Sequence, residues 1–530
     1  MYCFIPSWYE SGDAWNTHYA PWDHAGNSFE FDDTVNQIRM FRDAGEEVEL
    51  ICLGYAPNLR RFLHQQNIYP LPFRSVFDDL QKIRCREPAV LSYRELYWPA
   101  ETEWFFLSSR MLAYLHGTLY ASVEFAEGGF MCWVQYYEMN GTANRIRRRD
   151  IYDDRGFRSS SILYRGGVKE RQEYYAPDGR LCFFQLFPSG EVVLLNGTTS
   201  NGGAEGRRFS SMDELIREAA RPYFSDNSKP DTVVIAANRR HDSILLELLR
   251  GRKDMNIVLS FFGNRYDLTD KDALFRETEA ARLVVTDTEH TAKMLQEAGV
   301  LKTKIYDISP FDTRLSLGKS QQVRELKIFM PLDGLEGILL EKALRQVFDY
   351  MERKPDVILL AGTRAESGEE QERLRRKLQD VLESMGTEML PISYLNPERA
   401  QSPERAQSME NEQSVPESRV RIALYHSEND LIRILYDTRL ILDVRDQPDL
   451  YLQIAGISSG IPQVNYRFTR YVEHLKDGYI IQNINYITGA LEYYLDGLAH
   501  WNEALVYCVQ EVSSYAGGRL VEQWKKRLGK

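Results

Sequence analysis

The sequence predicts an α/β protein: two Rossmann-like domains facing each other across a cleft, with an antiparallel β-sheet domain inserted into the first. Three observations predict it. Apolar strand-like runs alternate with amphipathic helical stretches at the start of the chain, and the alternation resumes after about residue 207. Between Glu103 and Gly206 the texture changes to dense β-branched and aromatic runs broken by hairpin signals. A second alternating block begins at Lys327.

The expected division is therefore 1–102 with 207–322 for the first Rossmann-like domain and 103–206 for the inserted sheet. The second Rossmann-like domain takes 323–510, with a flexible loop at 396–418, and a C-terminal helix takes 511–530. Tyr2-Cys3-Phe4-Ile5 reads as the first strand, running into Pro6. A loop rich in aromatics follows, with Trp8, Tyr9, Trp15, Tyr19 and Trp22, and with His18 and His24 among them. Asn27 or Ser28 suits a helix cap, Asp32 and Asp33 suit the first turn, and Phe31, Val35, Ile38 and Phe41 form the apolar stripe ending at Gly45. Val48–Leu53 is the second strand, completing a parallel strand–helix–strand opening.

In the insertion, Phe105–Leu115 suggests a helix leading into a meander. Turn signals at Gly128-Gly129, Asn140-Gly141, Pro177-Asp178-Gly179, Pro188-Ser189-Gly190 and Asn196-Gly197 space its strands. Strands at Val233–Ile235, Ile257–Ser260 and Leu283–Val285 then restore the α/β pattern. The second block runs through Lys327–Met330, Val357–Leu360, Val420–Leu424, Leu440–Val444 and Gln463-Val464. Residues from Ile487 to Trp524 are helical in pattern. The hexapeptide PERAQS, Pro397–Ser402, repeats at once as Pro403–Ser408; its only apolar residues are Pro and Ala, too few to order a packed segment.

Composition excludes several classes. The chain of 530 residues carries a net charge of −12, against a general nucleic-acid binder that would cluster Lys and Arg. No run reaches the ~18 apolar residues of a membrane span, and no signal pattern opens the chain, so a cytoplasmic protein is expected. Cys3, Cys52, Cys85, Cys132, Cys182 and Cys508 form no CxxC pair, and the nine histidines show no HxxxH or HExxH spacing. Buried thiols in a reducing compartment, no metal and no cofactor follow. No GxSxG occurs, and the basic pairs Arg207-Arg208 and Arg239-Arg240 read as solvated faces.

Two facing Rossmann-like halves form the GT-B arrangement of glycosyltransferases, so its diphosphate-gripping devices can be sought in the second half. Retaining enzymes of that class carry an Arg and a Lys after the first strand, neutralising the leaving diphosphate. The ungapped counterpart here runs from Met330 to Gly337 and places Pro331 and Glu336 at those positions. An apolar ring and a carboxylate repel a diphosphate where two cations would attract it. A second device pairs two glutamates eight residues apart, the latter five before a Gly-x-Pro. Counting back from Gly460-Ile461-Pro462 gives Ala455 and Gln447, neither a carboxylate. Asp446 and Asp449 lie close by as helix caps or solvent-facing groups. The stretch Thr438–Asn465 thus has the strand–loop–helix–strand shape of a donor-binding unit with its charges missing. Trp8, Tyr9, Trp15 and Trp22 remain candidate binding rings at the edge of the first half, with loop packing as the plainer reading.

The opening FIPSWYE…WNTHYAPWD…FEFDDTVNQIRMFRDAG, the stretch YDDRGFRSSSILY at Tyr152–Tyr164 and the overall length resemble the first member of the accessory Sec system Asp protein family, which exports serine-rich-repeat adhesins. The resemblance covers essentially the whole chain. It implies a GT-B-like protein with an added β-sheet domain and no glycosyltransferase activity. It also implies the second and third Asp proteins, the glycosylated adhesin and the accessory SecA motor as partners, in the cytoplasm or peripherally at the membrane. Rival expectations are an active glycosyltransferase with an unusual donor site and a lectin-like glycan binder.

Overall fold

A computed structural model describes residues 1–9, 15–16, 32–85, 87–107, 110–126, 129–139, 145–198, 204–225, 230–252, 254–263, 265–287, 289–307, 315, 317–365, 367–386, 390–395, 418–426, 428–469, 471–514 and 517–530. The chain forms two compact units, one built on Asp33–Asp307 with the N-terminal strand and Lys525–Lys530, the other on Ile308–Trp524.

The first unit contains an all-parallel sheet of β1 (Tyr2–Ile5), β2 (Val48–Cys52), β3 (Phe73–Ser75), β14 (Thr232–Ala236), β15 (Asn256–Phe261), β16 (Leu283–Thr286) and β17 (Ile305–Asp307). Its order is β17-β16-β15-β14-β1-β2-β3. The chain moves one way from β1 and the other way from β14, so the order reverses between them. Near-continuous burial of these strands suits a sheet covered on both faces. The terminal Lys530 returns to this unit, pairing with Asp231 at 3.0 Å.

Between β3 and β14 lies a ten-stranded antiparallel meander, β4 (Glu103–Phe106) to β13 (Ala204–Phe209), each strand beside its sequence neighbour. The helix expected over Phe105–Leu115 is instead β4 and β5 (Arg110–Leu115), with Phe105 opposite Leu112. A dense apolar run fits either period. Here Met111 and Ala113 alternate inward beside Ala121 and Val123, and cross-strand pairing supplies what a lone helix would lack.

The meander shares its core with the parallel sheet, since Tyr174, Phe183 and Phe209 cluster with Cys3, Ile5, Val233 and Ile235. The YDDRGFRSSSILY stretch makes the polar half of that joint. Arg60 reaches Asp154 at 2.5 Å and Asp153 at 3.5 Å. Arg155 bridges Asp153 at 2.6 Å and Asp78 at 2.8 Å. Gln81 donates to the carbonyls of Ser159 and Tyr175 at 2.9 and 2.6 Å. Burial opposes the charge of Arg60, but Asp153 and Asp154 outweigh it and hold the guanidinium above its ordinary range.

The second unit holds another all-parallel sheet, ordered β20-β21-β19-β18-β22-β23-β24. Its strands are β18 (Leu326–Pro331), β19 (Val357–Thr363), β20 (Ile392–Tyr394), β21 (Val420–Leu424), β22 (Thr438–Asp443), β23 (Gln463–Asn465) and β24 (Gly478–Ile480). Ile328, Met330, Leu440 and Leu442 pack on Leu344, Val347 and Phe348 of the helix Gly337–Arg353. The PERAQS repeat lies outside the described residues. Helices Ile487–Leu495, Ala499–Ser514 and Gly517–Leu528 end the chain.

Candidate functional site

In an open parallel sheet a ligand sits beyond the carboxyl ends of the strands where the order reverses. In the second unit that point lies between β18 and β22. Pro331 ends β18 and is buried. Asp333, two residues on, accepts from the Thr363 hydroxyl at 2.7 Å and the Arg364 N–H at 2.9 Å, tying this turn to the end of β19. Glu336 is exposed at the N-cap position of the helix Gly337–Arg353 and makes no capping bond. No cation stands on the segment from Pro331 to Gly337.

The end of β22 is built from carboxylates and arginines closed on each other. Asp443, buried at 1% exposure, accepts from Arg445 Nε at 2.8 Å and Nη2 at 2.6 Å, and from the Asp449 N–H at 3.2 Å. Burial works against the charge of Arg445, yet the Asp443 carboxylate more than offsets it and holds the guanidinium above its ordinary range. Asp449 caps the helix Leu450–Ser459 by accepting from the Leu452 N–H at 3.0 Å, and its other oxygen takes Arg364 Nη2 at 2.8 Å. Asp446 is exposed and pairs with Arg467 at 2.5 Å. Gln447 is exposed as well, and Ala455 is fully buried inside the helix. That helix ends on Gly460, whose φ of 70° closes the turn into β23.

The structure thus brings Pro331, Asp333, Asp443 and Asp449 to one end of one sheet and leaves Glu336 and Gln447 facing solvent. Sequence reasoning missed Arg364 and Arg445, two cations at this end of the sheet. Their signal was position, each standing one or two residues beyond a buried strand. Chemically the site presents arginines whose charge is already matched by aspartates, so an incoming diphosphate would have to displace an internal ion pair.

The first unit has its own reversal point, between β1 and β14. There Asn238 donates to the Ser7 hydroxyl at 2.6 Å, and the Tyr9 hydroxyl meets His241 Nδ1 at 2.7 Å. The other ring nitrogen of His241 faces the Ala236 carbonyl at 2.9 Å, and burial pushes the adjacent Asp242 carboxyl up. Trp8 is 5% exposed and sits edge-on to Phe62; Trp15 is 3% exposed and donates to Asp213 at 2.6 Å. Tyr9 lies edge-on to Trp15. Trp8 and Trp15 therefore spend their ring faces inside the unit, which corrects the expectation that they offer a platform. Tyr19, Trp22, His18 and His24 lie outside the described residues. Five of the six cysteines are buried and all are free, and no metal-holding cluster occurs among the described residues.

Two Rossmann-like sheets, one carrying an antiparallel insertion, define a GT-B-like protein. The pneumococcal O-GlcNAc transferase GtfA, solved with UDP and GlcNAc, superposes with a TM-score of 0.63 at 14% identity, over 99% of this chain and 98% of that one. That likeness is one of fold. A family model described as the accessory Sec system protein Asp, first of its series, matches residues 1–530, and the chain belongs to that family. A relative of that name from Streptococcus gordonii is 34% identical over 535 residues, spanning 100% of this chain and 99% of the relative. The crystal structure of accessory secretory proteins 1, 2 and 3 of Streptococcus pneumoniae contains a chain similar at TM-score 0.86 and 30% identity, covering 100% and 99%. The Glycosylation Associate Protein complex of Streptococcus agalactiae contains another at 0.85 and 31%, covering 99% of each.

Proposed function

We propose that the chain is a non-enzymatic subunit of an accessory Sec export complex. In this reading it assembles with the second and third Asp proteins in the cytoplasm, binds glycosylated serine-rich-repeat adhesin and helps deliver it to the accessory SecA motor. The family membership supplies the pathway, and the solved relatives, which are complexes, support the two Asp partners. No described helix is long and apolar enough to cross a membrane, in keeping with a peripheral role.

One observation carries the non-enzymatic part. Where a donor diphosphate would need free cations, Pro331 and Glu336 supply none, and Arg364 and Arg445 are closed on Asp449 and Asp443. The donor-site positions Pro331, Glu336, Gln447 and Ala455 are read as a framework kept for folding after the charges were lost. The division at residues 103, 207 and 323 belongs to the same reading.

Titrating UDP-N-acetylglucosamine and UDP-glucose into the purified chain tests it. A ligand at a hundred times its Kd stabilises by about 2.7 kcal/mol, readily seen as a rise in Tm. The expected result is no rise and no sugar release. A rise together with sugar release, both lost in Arg364→Ala, would establish an active donor site and overturn the proposal. Co-expression with the second and third Asp proteins should yield a complex that captures glycosylated adhesin; capture unchanged when this chain is omitted would remove its role.

A further inference from the structure

The amino end of the second parallel sheet holds a side chain that the carboxyl-end site does not use. Arg439, second residue of β22, is only 4% exposed. Leu440 and Leu442 face the core under the helix Gly337–Arg353, and Arg439 projects to the opposite face. There its guanidinium lies 4.9 Å from the ring centroid of Trp501, which is fully buried and donates its Nε1 to the Arg439 carbonyl at 2.8 Å. Nη2 reaches the Val323 carbonyl at 3.3 Å. Nε and Nη1 are buried with no acceptor among the described residues.

The other cations at this end of the sheet have acceptors: Arg419, just before β21, donates to the carbonyls of Val357, Met351 and Lys354, and two more meet carboxylates. Lys327 meets Asp437 at 2.5 Å and Glu325 at 3.2 Å, and Arg421 meets Glu325 at 3.5 Å. Arg439 has burial acting against its charge and no carboxylate among the described residues to offset it. Lysine in such a place would give up its proton; arginine cannot. An uncompensated buried charge costs several kcal/mol.

Two more buried hydroxyls, those of Ser320 and Ser459, find no partner among the described residues, and the backbone ties both to this end of the sheet. The short turn Lys319–Gln322 carries Ser320 and leads straight to Val323, the acceptor of Arg439. Gly318, which opens that turn, donates its N–H to the Ser459 carbonyl at 3.0 Å. One cation and two hydroxyls with unspent donors suit a ligand that is negative and has several acceptor oxygens. We propose that Arg439, Ser320 and Ser459 form a binding site for a small inorganic oxyanion, phosphate or sulfate, at the end of the sheet opposite the donor-like site.

Thermal unfolding of the full chain in sodium phosphate, sodium sulfate and sodium chloride at equal ionic strength tests this, with Arg439→Met in parallel. Phosphate and sulfate stabilise proteins generally by exclusion, so the variant supplies the baseline. The expected result is a rise in Tm over chloride that grows with the logarithm of phosphate or sulfate concentration and is larger in the natural chain than in the variant. Equal rises in both would overturn the site and leave Arg439 as a buried unpaired cation. Should the variant not fold, calorimetric titration of inorganic phosphate into the natural chain decides. One site per chain supports the proposal; heat of dilution alone removes it.

Discussion

Asp449 performs two tasks with one side chain: it caps the helix Leu450–Ser459 and neutralises Arg364. Arg364 is about a third exposed, so the cap carries more of the stability than the ion pair does. Asp449→Ala should cost about 1–2 kcal/mol, read from the urea midpoint. Asp477 works differently. It is 1% exposed and accepts from the Glu473 N–H at 2.7 Å, and burial pushes its carboxyl from 3.8 up to about 7, with Glu473 and Glu511 adding to the shift. The folded state therefore holds a proton that the unfolded chain releases at lower pH. Its contribution is present in full below pH 3.8 and is lost as pH rises toward about 7, then stays level. Asp477→Asn, which mimics the protonated acid, should flatten that stretch of the stability curve; urea midpoints at pH 5 and pH 8 falling equally in both proteins would contradict this. At this scale Pro331, Glu336, Gln447 and Ala455 could be counted off the sequence. The pairing of Arg364 and Arg445 could not, because their partners depend on how strand ends meet.

The helix Leu450–Ser459 is the element on which the site turns, and most of it is legible in the sequence. The buried strand before it, the acidic loop and the glycine at its end are legible, while its start at Leu450 under the Asp449 cap is seen only in the structure. Gly460 is required by its φ of 70°; a Cβ there would also press on the Leu505 methyl, 2.3 Å away, which would have to move aside. Gly460→Ala should destabilise by about 1–3 kcal/mol, checked by thermal and urea unfolding. The hairpin of β4 and β5 shows the opposite case. Residues 105–115 are apolar at both helical and strand spacings, so local sequence cannot choose, and the choice falls to the next strand, Thr118–Phe125, which offers Ala121 and Val123 as cross-strand neighbours. The aromatic loop repeats the lesson, since Trp8 and Trp15 have the composition of a platform and only the surrounding Phe62 and Asp213 show that they are packed.

Across the whole first unit, the Arg60 network joins segments about a hundred residues apart and fastens the meander to the parallel sheet. Arg60 is 1% exposed, and its removal leaves Asp154 in the interior without its cation, while Asp153 keeps Arg155. Arg60→Ala should cost about 3–5 kcal/mol and speed proteolysis within 103–206; a stability change under 1 kcal/mol would show the joint to be apolar instead. The sequence by itself determined the class of fold, the inserted sheet, the absence of cations after β18 and the family, because periodicity, turn chemistry and residue identity are local properties. Only the tertiary structure decided which charges are already matched and which rings are already packed. Those are distances between residues far apart in the chain, such as Arg60 and Asp154 or Trp15 and Asp213, and a site's chemistry depends on the charge left over once such pairs have formed.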